Sequence, residues 1–169
     1  MLHLLRKGLE VDDAVFTLFY QLPLASSSKT VLDKFNSNQF SETRQIQYNL
    51  DRTGEEIDMV LFCNGIPLAT LELKNAWTGQ TAAVQGIRQY KYDRDIKQPL
   101  LTFGRCLVHF AVDTDEVHMT TRLAGKDSFF LPFNKGDNFG KGNPPNKTGH
   151  KTAYIWEEIF PGCCFWALQ

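Results

Sequence analysis

The sequence predicts an α/β fold, and three observations carry that prediction. Two apolar runs, Ile57–Cys63 and Ile66–Leu71, flank Asn64-Gly65, the strongest short-range signal for a β-hairpin. Past Asn75 the apolar period changes from two towards the helical 3.6, and Ala82–Asp95 reads as a helix. Two further strand-like runs follow, Leu107–Val112 and Val117–Leu123, separated by the turn residues Asp113-Thr114-Asp115.

The remaining elements follow in order. Leu2–Leu5 with Arg6 and Lys7 read as the last turn of a helix, capped by Gly8 and with its basic residues suited to the helix dipole. Glu10, Asp12 and Asp13 read as a solvated loop, with a metal-ligand role as the alternative. Val15–Leu22 is β-branched and aromatic, a strand ended by Pro23, and Ser26–Ser28 is a loop. Asn36–Glu42 is polar and turn-like. Arg44–Leu50 alternates, with Ile46, Tyr48 and Leu50 on one face. Asp51–Gly54 turns the chain into the hairpin. In the helix, Ala83, Val84 and Ile87 are the expected apolar stripe, and Gln85, Arg88 and Tyr92 share another face. Phe129–Phe133 is a short apolar run. Asn134–Lys151 has no periodicity and reads as a long loop, its Lys135, Lys141, Lys147 and Lys151 being either solubilising charges, the favoured reading, or phosphate contacts. Thr152–Phe160 starts a helix that Pro161-Gly162 breaks.

The totals exclude several classes. With 169 residues the chain fits one domain, and 43% hydrophobic residues suffice for a core. A net charge of −1 gives no global attraction to nucleic acid, so any such contact is local. No apolar run reaches the roughly 18 residues that span a membrane, and the N-terminus lacks the charge order of a secretory signal. The four cysteines (Cys63, Cys106, Cys163, Cys164) show no zinc spacing, and a reducing cytoplasm is the expected compartment.

Three charges stand where an apolar hairpin enters a core: Asp58, Glu72 and Lys74. Charged side chains are rarely buried unless paired or bound to metal, so the conflict marks a candidate site. Asp58 and Glu72, with the backbone carbonyl of Leu73, suit a hard divalent cation such as Mg²⁺, which can promote phosphodiester hydrolysis. Lys74, two residues beyond Glu72, shares its face on a strand. An ion pair at a sheet edge is the competing reading of the same residues. The metal reading requires both carboxylates on one face, which a plain two-residue hairpin does not give. A three-residue Cys63-Asn64-Gly65 loop, or a bulge elsewhere such as Pro67, is therefore expected.

Asp58 followed by Glu72-x-Lys74 resembles the PD-(D/E)xK nuclease motif. The longer stretch IDMVLFCNGIPLATLELKN resembles the nuclease domain of the restriction (R) subunit of type I restriction-modification enzymes. NQFSETRQIQYN upstream and RQYKYDRD, GRCLVHFAVDTDEVHMTTRL, FFLPFNKG, GNPPN and TAYIWEE downstream are similar to that family, over roughly Val15–Ile159. The resemblance implies a restriction-endonuclease-like fold, a mixed central β-sheet flanked by helices. It implies Mg²⁺-dependent cleavage of double-stranded DNA by Asp58, Glu72 and Lys74, beside modification and specificity subunits. It also implies DNA contacts from a Gln-x-x-x-Tyr element, for which Gln85, Arg88 and Tyr90 are the nearest residues, although Gln85 to Tyr90 is one residue too long.

The family's ATP-driven motor is not expected in this chain, because Gly136–Gly142 lacks the phosphate-loop spacing and hydroxyl. Residues 1–160 are expected to form the nuclease domain, incomplete at its N-terminus, and 161–169 an atypical tail such as a truncated or frameshifted gene leaves. A remnant that keeps the fold without activity, and a free-standing nuclease of the same superfamily, are the alternatives.

Overall fold

Six strands form one mixed sheet in which each is hydrogen-bonded to the next along the chain. The computed structural model describes residues 1–52 and 54–160; the expected tail, with Cys163 and Cys164, lies outside them. The sheet comprises β3 (Phe40–Gln47), β4 (Glu56–Cys63), β5 (Ile66–Leu73), β6 (Val108–Val112), β7 (Val117–Thr120) and β8 (Leu131–Pro132). Neighbours are antiparallel except β5 and β6, which run parallel. A parallel pair needs a long crossover, and residues 74–107 supply it, including a helix over 82–93. This is the arrangement of the restriction-endonuclease-like α/β fold.

The sheet buries a cluster on each side. Met59, Leu61, Leu71, Phe110 and Val112 pack with Tyr154 and Ile155, which belong to the C-terminal helical turn. Ile57, Val60, Tyr48 and Leu101 pack with Tyr90 from the crossover helix. Both faces being covered explains why β4 and β5 read as nearly continuous apolar runs. Beneath the crossover helix lies a polar network: the Thr70 hydroxyl meets the Tyr90 hydroxyl at 2.8 Å and His109 Nδ1 at 2.7 Å.

The N-terminal helix α1 (Leu2–Lys7) ends at Gly8 as expected. A small hairpin follows, β1 (Leu9–Val11) and β2 (Ala14–Phe16), so the expected loop at Glu10, Asp12 and Asp13 is a strand and its turn. The expected strand Val15–Leu22 stops at Phe16. Its later backbone is taken up by side chains instead: Asn38 bonds the N–H and carbonyl of Tyr20, and Asn64 donates to the Leu18 carbonyl. Between the serine loop and the third strand lies a further helix, α2 (Lys29–Asn36), preceded by Ser28. The third strand starts at Phe40, within the stretch expected to turn.

The crossover helix differs from its expected form in two ways. It consists of wide, π-type turns at Ala82–Gly86 and Gln89–Asp93, and it stops before Arg94. Its buried stripe is Ala82, Gly86 and Tyr90, not Ala83, Val84 and Ile87; Val84 is exposed. The cause is close approach to the sheet. A Cβ at Gly86 would lie 2.9 Å from the Ala111 Cβ, so only glycine fits there.

Asp113, at the end of β6, fixes the start of this helix. Its Oδ2 accepts from the Ala82 N–H at 2.7 Å, and its Oδ1 accepts from Asp115 and Glu116 N–H at 2.7 and 2.8 Å. Its backbone carbonyl accepts from the Thr152 hydroxyl. One carboxylate thus holds the β6–β7 turn and the helix N-terminus. Asp113→Ala leaves three backbone donors without their acceptor, and we expect it to lower the unfolding free energy in urea by about 2–4 kcal/mol.

Candidate active site

The hairpin reconciles a regular turn with the same-face requirement. Asn64 and Gly65 both have positive φ, 51° and 78°, and join Cys63 to Ile66 as a two-residue turn. The expected three-residue loop is not formed. The register instead shifts next to Pro67: Phe62 pairs with Pro67 and Leu61 with Ala69, leaving Leu68 as a bulge. The extra residue moves Asp58 level with Glu72 rather than with Leu71.

A second irregularity lies on the other side of β4. Met59 pairs with Arg44 and Ile57 with Ile46, so Asp58 is level with Gln45, which has φ of 50°. Left-handed backbone is costly for a residue with a side chain, on the order of 1–2 kcal/mol. Across this point the alternation of β4 is reset, for Ile57 packs with Val60 and not with Met59. Nothing in the sequence near Gln45 signals this. The ladder between β4 and β5 also gives way here. The Leu73 N–H donates to Asp58 Oδ2 at 2.7 Å instead of to a main-chain carbonyl.

These distortions bring the three expected residues together. Lys74 Nζ lies 3.3 Å from Asp58 Oδ2 and 3.5 Å from Glu72 Oε2. Glu72 is fully buried, Lys74 nearly so, and the Asp58 side chain is 35% exposed, so the group opens to solvent at Asp58. Arg94, which follows the crossover helix, adds a second cation. Its Nε and Nη2 both lie 2.7 Å from Glu72 Oε1. The remaining oxygen, Oε2, is buried without a hydrogen-bond partner. Burial pushes the Glu72 carboxyl up to about 7, against the pull of the Arg94 guanidinium; Asp58 adds to the rise and Lys74 opposes it.

Arg94 carries no local signal of this role in the sequence. It is one of several charges in Lys91–Asp95, and only the closure of the helix onto β5 puts it beside Glu72. Gly86 also belongs to the site, because the Lys74 Cγ would be 3.6 Å from a Cβ there. Among the described residues no three His, Cys, Asp or Glu side chains converge on one point. Two carboxylates and a carbonyl are nonetheless a fitting set for Mg²⁺, which keeps several of its waters. An unpartnered buried carboxylate oxygen fits the same role.

The other expected contacts are dispersed. Gln85 Oε1 accepts from the Thr81 N–H at 2.8 Å, while the Thr81 hydroxyl accepts from the Val84 N–H, a reciprocal cap of the helix start. Arg88 is exposed on the outer face. Tyr90 is fully buried with its hydroxyl on Thr70, a position that does not fit the expected DNA contact. Of the loop lysines, Lys135 pairs with Glu158, and Lys151 pairs with Asp115 at 2.7 Å. Both pairs are solvent-exposed.

A cleft of about 440 Å³ opens beside the trio, lined by Leu73, Lys74, Asn75, Trp77, His150 and Trp156 among others. Asp58 and Glu72 do not line it, so Lys74 is the shared residue. Trp77 stands almost wholly in solvent at its edge, held by a bond from its N–H to Asn75 Oδ1 at 2.9 Å.

Residues 27–128, more than half of the chain, match the model of the family described as type I restriction enzyme R protein N terminus. No curated protein and no solved structure matches the chain.

Two buried groups give opposite pH dependences. Glu72 holds its proton up to about 7 in the fold, against 4.5 for an ordinary glutamate. It contributes stability that is full below 4.5 and lost as pH rises to about 7. Burial pushes His109 down to about 4 from 6.5, so its contribution is full above 6.5 and lost as pH falls to about 4. Relative to wild type, Glu72→Gln should gain stability from pH 4.5 to 7, and His109→Gln should gain it from pH 6.5 to 4. Each change should be of the order of 2–3 kcal/mol by denaturant titration. Parallel curves would show that neither group titrates out of register with the unfolded chain.

Proposed function

Because the chain belongs to the family of type I restriction enzyme R protein N-terminal regions, we propose that it is a Mg²⁺-dependent endonuclease domain hydrolysing phosphodiester bonds of double-stranded DNA. One observation carries the reading: the Lys74 ammonium lies within 3.5 Å of both Asp58 and Glu72, and one buried oxygen of Glu72 has no hydrogen-bond partner. A buried carboxylate oxygen left without a donor is costly. A bound cation removes that cost.

Asp58, Glu72 and the Leu73 carbonyl would hold Mg²⁺, which when bound supplies positive charge against the phosphate and acidifies water. Asp58 is the solvent-facing ligand, and its Oδ2 is oriented by the Leu73 N–H. Lys74, buried between the two carboxylates, keeps its ammonium at the point where both meet. From there the ammonium would offset charge on the scissile phosphate or orient the attacking water. The cleft beyond Lys74 takes the DNA strand, with Trp77 and His150 at its walls. An exposed aromatic beside a cation suits stacking and backbone contact.

Sequence recognition and ATP-driven translocation fall to other parts of a type I complex, in the cytoplasm. Modification and specificity subunits are the partners we propose. Among the described residues no helix is long and apolar enough to cross a membrane.

The test is nicking of supercoiled plasmid with Mg²⁺ or Mn²⁺. Asp58→Ala, Glu72→Ala and Lys74→Ala should each lose about a hundredfold or more in rate, and Trp77→Ala should weaken DNA binding more than it slows the chemistry. Wild type that neither nicks nor binds Mg²⁺ by calorimetry overturns the reading in favour of a fold-retaining remnant. Because Mg²⁺ must displace the Glu72 proton, binding should tighten as pH rises towards about 7 and then level off. Affinity independent of pH between 5.5 and 7.5 would place the ion elsewhere.

A further inference from the structure

We propose that Arg94 is a positioning residue that makes Glu72 a one-oxygen ligand and so favours Mg²⁺ over Ca²⁺. The inference rests on the metal reading above and deepens it.

An arginine usually meets a carboxylate fork to fork, one nitrogen to each oxygen. Arg94 does not. Both its Nε and its Nη2 lie 2.7 Å from the same oxygen, Oε1. Oε2 is left buried, with only the Lys74 ammonium at 3.5 Å. The carboxylate is therefore divided into a capped oxygen and a free one, and the free one faces Lys74 and, through it, Asp58.

Arg94 is itself fixed. Its guanidinium is 5.9 Å from the centroid of the Tyr48 ring, and its side chain is 10% exposed. The Tyr48 hydroxyl donates to Glu55 Oε2 at 2.8 Å and accepts from the Asp95 N–H at 3.2 Å, which holds the ring in place. At Arg94 the backbone leaves the helix for extended geometry, φ −104° and ψ 134°, which starts the side chain towards β5 rather than along the helix surface.

The consequence is coordination number. Mg²⁺ is octahedral, binds carboxylates through single oxygens and retains water. Ca²⁺ accepts more ligands and takes carboxylates through both oxygens. Capping Oε1 closes the two-oxygen mode at Glu72 and leaves the mode that Mg²⁺ uses. A lysine in place of Arg94 keeps the charge as a single point but not the fork. A role limited to neutralising buried charge would survive that change.

Calorimetric titration of the purified chain with Mg²⁺ and with Ca²⁺, for wild type and Arg94→Lys, tests this. The expected result is about a tenfold fall in the preference for Mg²⁺ in the variant, the scale on which groups behind a ligand act. Tyr48→Leu, which removes the ring beneath the guanidinium and leaves the charges in place, should move the preference in the same direction by less, and it keeps the test available if Arg94→Lys does not fold. An unchanged preference with lowered thermal stability overturns the proposal and leaves Arg94 as a charge partner only. A crystal structure of metal-free Arg94→Lys separates the two layers of the argument. Glu72 retaining its orientation there overturns positioning, whatever the metal does. Reorientation, combined with a wild type that binds neither ion, upholds positioning and overturns the metal reading together with the selectivity.

Discussion

A carboxylate with no exposure to water sits at the end of a central strand, and the surrounding structure answers to it. Glu72 needs cations, and it has two, Arg94 from beyond the crossover helix and Lys74 from just past the end of its own strand. Their attraction does not fully offset desolvation, as its proton affinity shows. The pairing is therefore weak as a source of stability and specific as a constraint on position. It dictates that the crossover helix ends where Arg94 can turn inward, and that Lys74 lies under the helix rather than in solvent.

The helix meets that constraint through small residues and a distant cap. Ala82 and Gly86 bring its backbone against β6, and the Asp113 carboxylate grips its first turn. Beneath it, Tyr90, Thr70 and His109 satisfy one another in a dry layer. Tyr90 is thereby a structural residue, held within the second of the helix's wide π-type turns.

The sheet contributes two departures from regularity, both aimed at Asp58. The Leu68 bulge advances the register on one side, and the left-handed Gln45 breaks the ladder on the other. Together they release the Asp58 carboxylate from an ordinary strand position and place it on Lys74 and the Leu73 N–H. Strain of this kind persists only where the rest of the sheet holds it in place. The buried rows of β4 and β5 do so.

The sequence alone determined the hairpin, the two later strands, the crossover helix and the three charges of the site. Those rest on local chemistry: Asn-Gly turn geometry, apolar periodicity, and charges inside an apolar run. It also required a bulge, because parity along a strand decides which side chains share a face, and it named Pro67 beside the residue that bulges. Only the tertiary structure decided that Arg94 is the partner of Glu72, that Gly86 sets the distance of the helix, that Tyr90 is buried, and that Lys135 and Lys151 stand beside Glu158 and Asp115. Each of these depends on residues far apart in the chain meeting at one point. A periodic pattern records which face of an element is apolar, but not which distant charge or backbone will stand opposite it.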